Sequence, residues 1–272
     1  MKTFEHTSRP VTLAALDRLD DAIAKEWLEA WTRGHFPQPN PVVSGPVRLA
    51  VPQLPLGHAL CKSYSTGTMA RLLRALSGVK NRPRRAFEIG CVLEAAGVRA
   101  SRPLALLERR RCGLVTSSCV VFEPIQGVTL RDYLLDPAHG SRRSELWTAV
   151  AVEVAHLHAA CVRQRDLKAP NVIVSEESEA SIKISLIDLD GMTRLARAPS
   201  LRTRARDLAR LAASFLAAGE TPEEWRMLLE RYLEASVGTL PEPREVARLH
   251  AWTLEWARHK LERNHRRGRP VW

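Results

Sequence analysis

The chain has 272 residues, 45% hydrophobic and 26% charged, enough to bury a sizeable core in one large domain or in two lobes around a cleft. Its formal net charge of +11 suits a nucleotide, a phosphorylated glycan or an anionic membrane surface, whereas 6% aromatic residues and no interleaved basic–aromatic stripe argue against a nucleic-acid binder. Five scattered cysteines without C-x-x-C spacing indicate neither a disulfide framework nor a zinc site and fit a reducing cytosol; no secretory leader or membrane-spanning run is expected.

Leu13, Leu16, Leu19, Ile23, Trp27 and Trp31 recur at helical spacing and predict one amphipathic helix over 11–33, closed by a Pro-rich linker at 35–41. Residues 1–41 therefore read as a helical extension and linker. Short strands follow at 42–43, 47–51 and 58–64, separated by prolines and glycines as in an antiparallel meander. Lys62 lies in the third, where a lysine inside an apolar strand points to a pocket or snorkels to the surface. A basic connection (Arg71, Arg74, Lys80, Arg82) leads to a helix over 84–96 with Glu88 near its start, then to strands at 103–109 and 113–123. Glu123 precedes Pro124-Ile125-Gln126-Gly127, a candidate hinge. No glycine-rich phosphate loop stands between 42 and 51, where Gly45 is alone.

Helices are predicted over 130–135 and 144–161. His156 and His158 on the second face different sides and so form no metal pair. Residues 192–206 read as a basic loop, after which Asp207 opens a helix and is placed to bond back to an earlier loop backbone. The stretch 222–261 is helical, with Trp225, Leu228, Leu229, Tyr232 and Leu233, then Val246, Leu249, Trp252, Leu254 and Trp256, as core stripes. A basic tail over 259–272 (Lys260, Arg263, Arg266, Arg267, Arg269) suits anionic headgroups.

The chemistry concentrates in 162–191. Two polar clusters, Arg165-Asp166-Leu167-Lys168-Ala169-Pro170-Asn171 and Asp188-Leu189-Asp190-Gly191, interrupt β-branched apolar runs. Carboxylates and an amide at the ends of buried strands are costly unless paired, and metal-bound phosphate would pair them. Asp166 and Asn171 satisfy the D-x-x-x-x-N of a kinase catalytic loop, and Asp188 stands where the metal-binding aspartate of the next loop belongs. In that arrangement Asp166 accepts the proton of a hydroxyl, Lys168 neutralises charge on the moving phosphoryl group, and Asn171 and Asp188 hold Mg²⁺. A hairpin with polar turns explains either cluster alone, but not both in order at this spacing.

These blocks, with Leu60 to Tyr64, Arg85-Ala86-Phe87-Glu88 and Arg206-Asp207-Leu208-Ala209-Arg210-Leu211, resemble the bacterial lipopolysaccharide-core sugar kinases, the Kdo/heptose kinase family, from about residue 47 to 233. The resemblance implies an α+β, two-lobed protein-kinase-like fold: an N-lobe of antiparallel sheet plus helix over 42–123 and a mainly helical C-lobe with the basic tail over 124–272. It further implies phosphoryl transfer from ATP with Mg²⁺ to a sugar hydroxyl of the lipopolysaccharide inner core, on the cytoplasmic face of the inner membrane. Lys62 would meet the phosphates, Glu88 would orient Lys62, Glu123 would line the nucleotide hinge, Asp166 would be the base, and Asn171 and Asp188 the metal ligands. Two positions depart from the protein-kinase pattern: Gln164 replaces the histidine before Arg-Asp, and Leu189-Asp190 replaces Phe-Gly. The alternatives are a soluble small-molecule kinase of aminoglycoside or choline type, an atypical protein kinase, and a catalytically silent kinase-like module.

Overall fold

The computed structural model describes residues 3–8, 11–16, 19–33, 47–51, 54, 56–65, 81–111, 114–178, 181–237 and 242–268. The linker at 35–41, the strand at 42–43, Gly45, the basic residues Arg71, Arg74 and Lys80, and Arg269 lie outside them. Contacts divide the chain into two units, Met1–Cys91 with Ser101–Pro124, and Val92–Ala100 with Ile125–Trp272.

The first unit is built on a six-stranded sheet: β1 (Thr3–Ser8), β2 (Val11–Leu16), β3 (Val47–Ala50), β4 (His58–Ser65), β5 (Pro103–Arg111) and β6 (Leu114–Phe122). The order is β1-β2-β5-β6-β4-β3 and every neighbouring pair is antiparallel. The single helix expected over 11–33 is instead a strand followed by α1 (Asp21–Arg33). Val11 and Leu13 are buried while Thr12 and Ala14 are half-buried, the period of two that suits a strand between two partners. Asp20 then starts the helix, its side chain accepting the Ala22 N–H at 2.7 Å. Over so few residues the spacing of Leu13, Leu16 and Leu19 does not separate the two periods. Trp27 and Trp31 of α1 join Leu13, Leu104, Leu107 and Val121 in one apolar cluster. Arg109 covers the Trp31 ring at 5.7 Å from its centroid and donates to the Trp31 carbonyl.

The helix expected over 84–96 is α2 (Arg82–Ala95). Its start is fixed by Asn81, whose Oδ1 accepts the Arg84 N–H at 2.8 Å and whose Nδ2 donates to Glu108 Oε1 at 3.0 Å. Glu108, in the middle of β5, is 1% exposed. It receives Arg84 through Nε (3.1 Å) and Nη2 (2.7 Å), and Arg110 Nη2 at 3.0 Å. Burial pushes the Glu108 carboxyl up, but the hydrogen bonds from Arg84 and Asn81, the Arg84 charge and the Arg110 bond outweigh it and hold the group below the usual carboxylate range.

In the second unit, α4 (Arg143–Ala159) lies against α6 (Pro222–Val237), and α5 (Leu201–Ala217) against α7 (Pro243–Arg266). Between β6 and α4 come the short β7 (Val128–Thr129) and α3 (Leu130–Leu135). Trp147 meets Phe215 at 4.5 Å between ring centroids and Phe215 meets Trp225 at 5.2 Å, tying α4, α5 and α6 together. The strands are short: β8 (Val162–Gln164) pairs with β11 (Met192–Arg194), and β9 (Val172–Ser178) lies between β10 (Ser181–Leu186) and β7. Residues 92–100 belong here because Glu153, buried on α4, accepts the Arg99 N–H at 2.5 Å, and Leu186 N–H donates to the Arg99 carbonyl at 2.9 Å. Two expectations are corrected. The stretch 192–206 is not one loop, since it holds β11 and the first six residues of α5. The basic stretch from residue 259 is helical to Arg266, because the apolar seam of Leu249, Leu254 and Ala257 carries α7 onward against the unit.

Arg84→Met removes a two-pronged partner from a buried carboxylate. We expect it to cost about 1.5–3 kcal/mol, the range of hydrogen bonds to charged groups, read as a lower urea midpoint at unchanged slope. An unchanged midpoint would show that Asn81 and Arg110 satisfy Glu108 by themselves.

Candidate active site

The loop from β8 to β9 is stitched to one stripe of α5. Asp207, 1% exposed, accepts Arg163 Nη2 at 2.6 Å and the Gln164 backbone N–H at 3.1 Å. Three residues on, Arg210 Nη1 meets Asp166 Oδ1 at 2.9 Å. Four further, Ser214 Oγ accepts the Ala169 N–H at 3.1 Å. Positions i, i+3 and i+7 share a helix face, so a rigid element fixes the loop at four residues between 163 and 169. Asp207 bonds back to the loop as its sequence position suggested. Behind it, His158 is fully buried, with Nδ1 2.6 Å from Tyr232 Oη and Nε2 3.6 Å from Asp207 Oδ2. Burial holds the His158 ring below the usual imidazole range, only partly offset by Asp207.

Within the loop, Asp166 is about one-third exposed and Lys168 Nζ lies 3.2 Å from its Oδ2. A 3₁₀ turn, Ala169–Asn171, ends the loop, and Asn171 Nδ2 donates to the Asp166 carbonyl at 2.8 Å. The amide nitrogen being engaged, Oδ1 is the atom Asn171 offers a cation. Asn171 O accepts the Ile187 N–H at 3.0 Å, which sets Asp188 beside this turn. Asp188 has left-handed backbone (φ 59°, ψ 59°), uncommon outside glycine although aspartate is among the residues that tolerate it.

Gln164, where a protein kinase would have histidine, bridges the two loops. It is 1% exposed; Nε2 donates to the Asp188 carbonyl at 3.1 Å and Oε1 accepts the Asp166 N–H at 3.2 Å. An amide supplies one donor and one acceptor at fixed separation, as an imidazole does, so the substitution keeps the support. Gly191 makes room for it: a Cβ there would stand 2.4 Å from Gln164 Oε1.

Asp166, Lys168, Asn171 and Asp188 are thus brought together in the second unit, and Lys62, Glu88 and Glu123 belong to the first. Lys62 is half-buried on β4 opposite Val120 of β6, and Glu88 is half-buried on α2. Glu123 follows β6 and donates its backbone N–H to Arg102 O at 2.8 Å, with its carboxylate 3.9 Å from Arg102 Nη1. Arg210 was not singled out from the sequence. The available signal was its place three residues after Asp207, on the side of α5 that faces the loop.

Asn171 and Asp188 offer one amide oxygen and one carboxylate. That hard pair fits Mg²⁺, which takes its other oxygens from phosphates and water. Among the described residues no group of three or more His, Cys, Asp or Glu is disposed to hold a metal ion.

The fold is shared with a solved structure, WaaP in complex with acyl carrier protein: the TM-score is 0.65 at 22% identity, over 90% of this chain and 97% of that one. That likeness shows a kinase-like fold, and the class of activity, a phosphotransferase, comes with the family. The model of the lipopolysaccharide kinase (Kdo/WaaP) family matches residues 56–232, and the chain belongs to that family. None of the curated proteins matches it by sequence.

Two outcomes follow from this geometry. The fold disfavours the protonated His158 ring, so below its ordinary value of 6.5 the unfolded chain takes up a proton the folded chain resists. The contribution of His158 is complete above that value and is lost as pH falls through the lowered folded one. His158→Gln, which keeps a partner for Tyr232, should lessen the loss of unfolding free energy as pH falls from about 7.5 to about 5.5; an identical loss in both proteins would assign the acid sensitivity elsewhere. Gly191→Ala should push Gln164 aside and lower kcat by about 10²-fold, the scale of a 1 Å misplacement, with a native circular dichroism spectrum. Full turnover would mean the Gln164 bridge is dispensable.

Proposed function

We propose that the chain transfers the γ-phosphate of ATP, with Mg²⁺, to a sugar hydroxyl of the lipopolysaccharide inner core, on Kdo or heptose. The observation that supports this reading is the α5-anchored loop, which holds Asp166, Lys168 and Asn171 near the turn that carries Asp188. Asp166 orients the acceptor hydroxyl and takes its proton as the oxygen–phosphorus bond forms and the bond to ADP breaks. Such transfers pass through a loose transition state, so placement of the hydroxyl matters more than base strength. Lys168 meets charge on the phosphoryl oxygens. Asn171 and Asp188 would hold Mg²⁺, which when bound neutralises phosphate charge. Lys62, oriented by Glu88, would meet the phosphates at the nucleotide, and Glu123 would flank its base.

The partners in this reading are ATP, a phosphorylated glycolipid and the anionic membrane surface that presents it, with no specific nucleic acid. Among the described residues no helix is long and apolar enough to cross a membrane. Arg258, Arg263 and Arg266 at the exposed end of α7, with Arg267 just beyond it, would supply cations for peripheral contact at the cytoplasmic face.

Transfer of label from γ-labelled ATP to lipopolysaccharide core, an aminoglycoside and a generic protein tests the reading. Label is expected in the lipopolysaccharide alone, and label only in another acceptor would replace it with one of the other kinase types. Asp166→Ala should lower turnover by about 10²–10⁴-fold and Asp188→Ala by at least as much, both with the fold retained. Near-normal turnover in either variant would refute the assigned roles.

A further inference from the structure

The backbone of Asp166 is held from both sides. Its N–H donates to Gln164 Oε1 at 3.2 Å, and its carbonyl accepts Asn171 Nδ2 at 2.8 Å. What the backbone leaves free is the side chain, above all the rotation that exchanges its two carboxylate oxygens. Those oxygens have partners of different kinds. Oδ1 receives Nη1 of Arg210 at 2.9 Å, from the body of α5. Oδ2 has Lys168 Nζ at 3.2 Å and Asn171 Nδ2 at 3.4 Å, both from the loop itself.

The loop is held to α5 on either side of Asp166 without Arg210. One turn earlier along the helix Asp207 accepts Arg163 and the Gln164 N–H, and one turn later Ser214 accepts the Ala169 N–H. The Arg210–Asp166 pair is also well exposed, 41% and 35% at the side chains, where an ion pair adds little to stability. An arginine that is surplus to the anchoring yet occupies one oxygen of the base acts on how the carboxylate is turned. Its guanidinium stands on a rigid helix and stays in place. Lys168, on the loop, is the cation assigned to the phosphoryl oxygens, so it leaves Oδ2 when they arrive, while Arg210 remains on Oδ1.

We propose that Arg210 is a positioning residue that reserves Oδ1 of Asp166 and thereby makes Oδ2 the proton acceptor. In the transfer the hydroxyl oxygen bonds to phosphorus, the bond from phosphorus to the ADP oxygen breaks, and the hydroxyl proton passes to Oδ2. The carboxyl group is then neutral, and its Oδ1 still accepts the Arg210 bond. This rests on the kinase reading above and adds to it the atom that takes the proton and the side chain that selects that atom.

The test follows transfer to whichever acceptor wild type labels in the panel above, in Arg210→Ala, in Asp166→Ala and in the two combined. Arg210→Ala should lower kcat by about 10²-fold, the scale of a 1 Å misplacement, with KM for ATP and the urea midpoint close to wild type. Guanidinium ion at low concentration should restore part of the lost kcat. Methylammonium, equal in charge but without the planar fork, should restore less. In the Asp166→Ala background the Arg210→Ala change should cost nothing further, because the group it positions is gone. A full further loss in that background, no rescue by guanidinium, or a kcat loss matched by a fallen urea midpoint would make Arg210 something other than a guide for Asp166. A rise in KM for ATP at unchanged kcat would give Arg210 to the nucleotide. Any of these results overturns the proposal and leaves the kinase reading standing. A wild type that labels no acceptor overturns the kinase reading itself, and this assignment with it.

Discussion

The second unit depends on a carboxylate that solvent does not reach. Asp207 is buried at the start of a helix stripe, and a charge in that position persists only because the Arg163 guanidinium and the Gln164 amide meet it. Removing any of the three would leave another polar group stranded. That mutual requirement converts the rigidity of α5 into the rigidity of a loop that has little regular pairing of its own. Beyond Asp207, Arg210 and Ser214 repeat the device at the next turns, so the loop takes its shape from the helix it crosses. His158 and Tyr232 close the back of the network and extend it to α4 and α6. The chemistry presented at Asp166 is therefore set by helix packing several residues away.

Gln164 shows how such a network tolerates a change of residue. What the position must supply is one donor toward the Asp188 carbonyl and one acceptor toward the Asp166 amide, and a carboxamide supplies both. The cost is space, which the absence of a side chain at Gly191 provides. The left-handed backbone at Asp188 belongs to the same account. A conformation disfavoured by of order 1 kcal/mol or more survives because its neighbours are tied on both sides, through Ile187 to Asn171 and through its own carbonyl to Gln164. Strain and support coincide where the two loops meet.

Much of this was legible in the sequence, and the failures have physical causes. The D-x-x-x-x-N spacing, the second aspartate and the β-branched runs located the loops because they encode local chemistry and a period of two. The strands at 47–51 and 58–64, the helix at 84–96 and the strand pair before Glu123 appear within a few residues of their expected places. Residues 11–33 misled because a strand shielded on both sides and a helix both want apolar residues, and Asp20 is a cap only once the chain beyond it is helical. Glu108 was passed over, since a buried carboxylate in an arginine-rich strand is visible only when Arg84 is brought across from α2. Arg210 was missed for the same reason: its partner lies 44 positions earlier, and only tertiary packing makes the pair.

The last thing packing decides is where the excess charge goes. A net charge of +11 spread evenly over a surface would say only that the chain tolerates anions. Here part of it converges, because Arg210 of α5 meets Asp166 in the loop that α5 already fixes, and Arg263, Arg266 and Arg267 line one hollow at the end of α7. Proteins keep such arrangements where binding needs them, accepting lower stability for a site prepared to meet its ligand. A cationic surface of this kind discriminates among ligands by charge before stereochemistry is read. Long-range attraction brings an anion near, and only within a few ångströms do hydrogen bonds distinguish one group from the next.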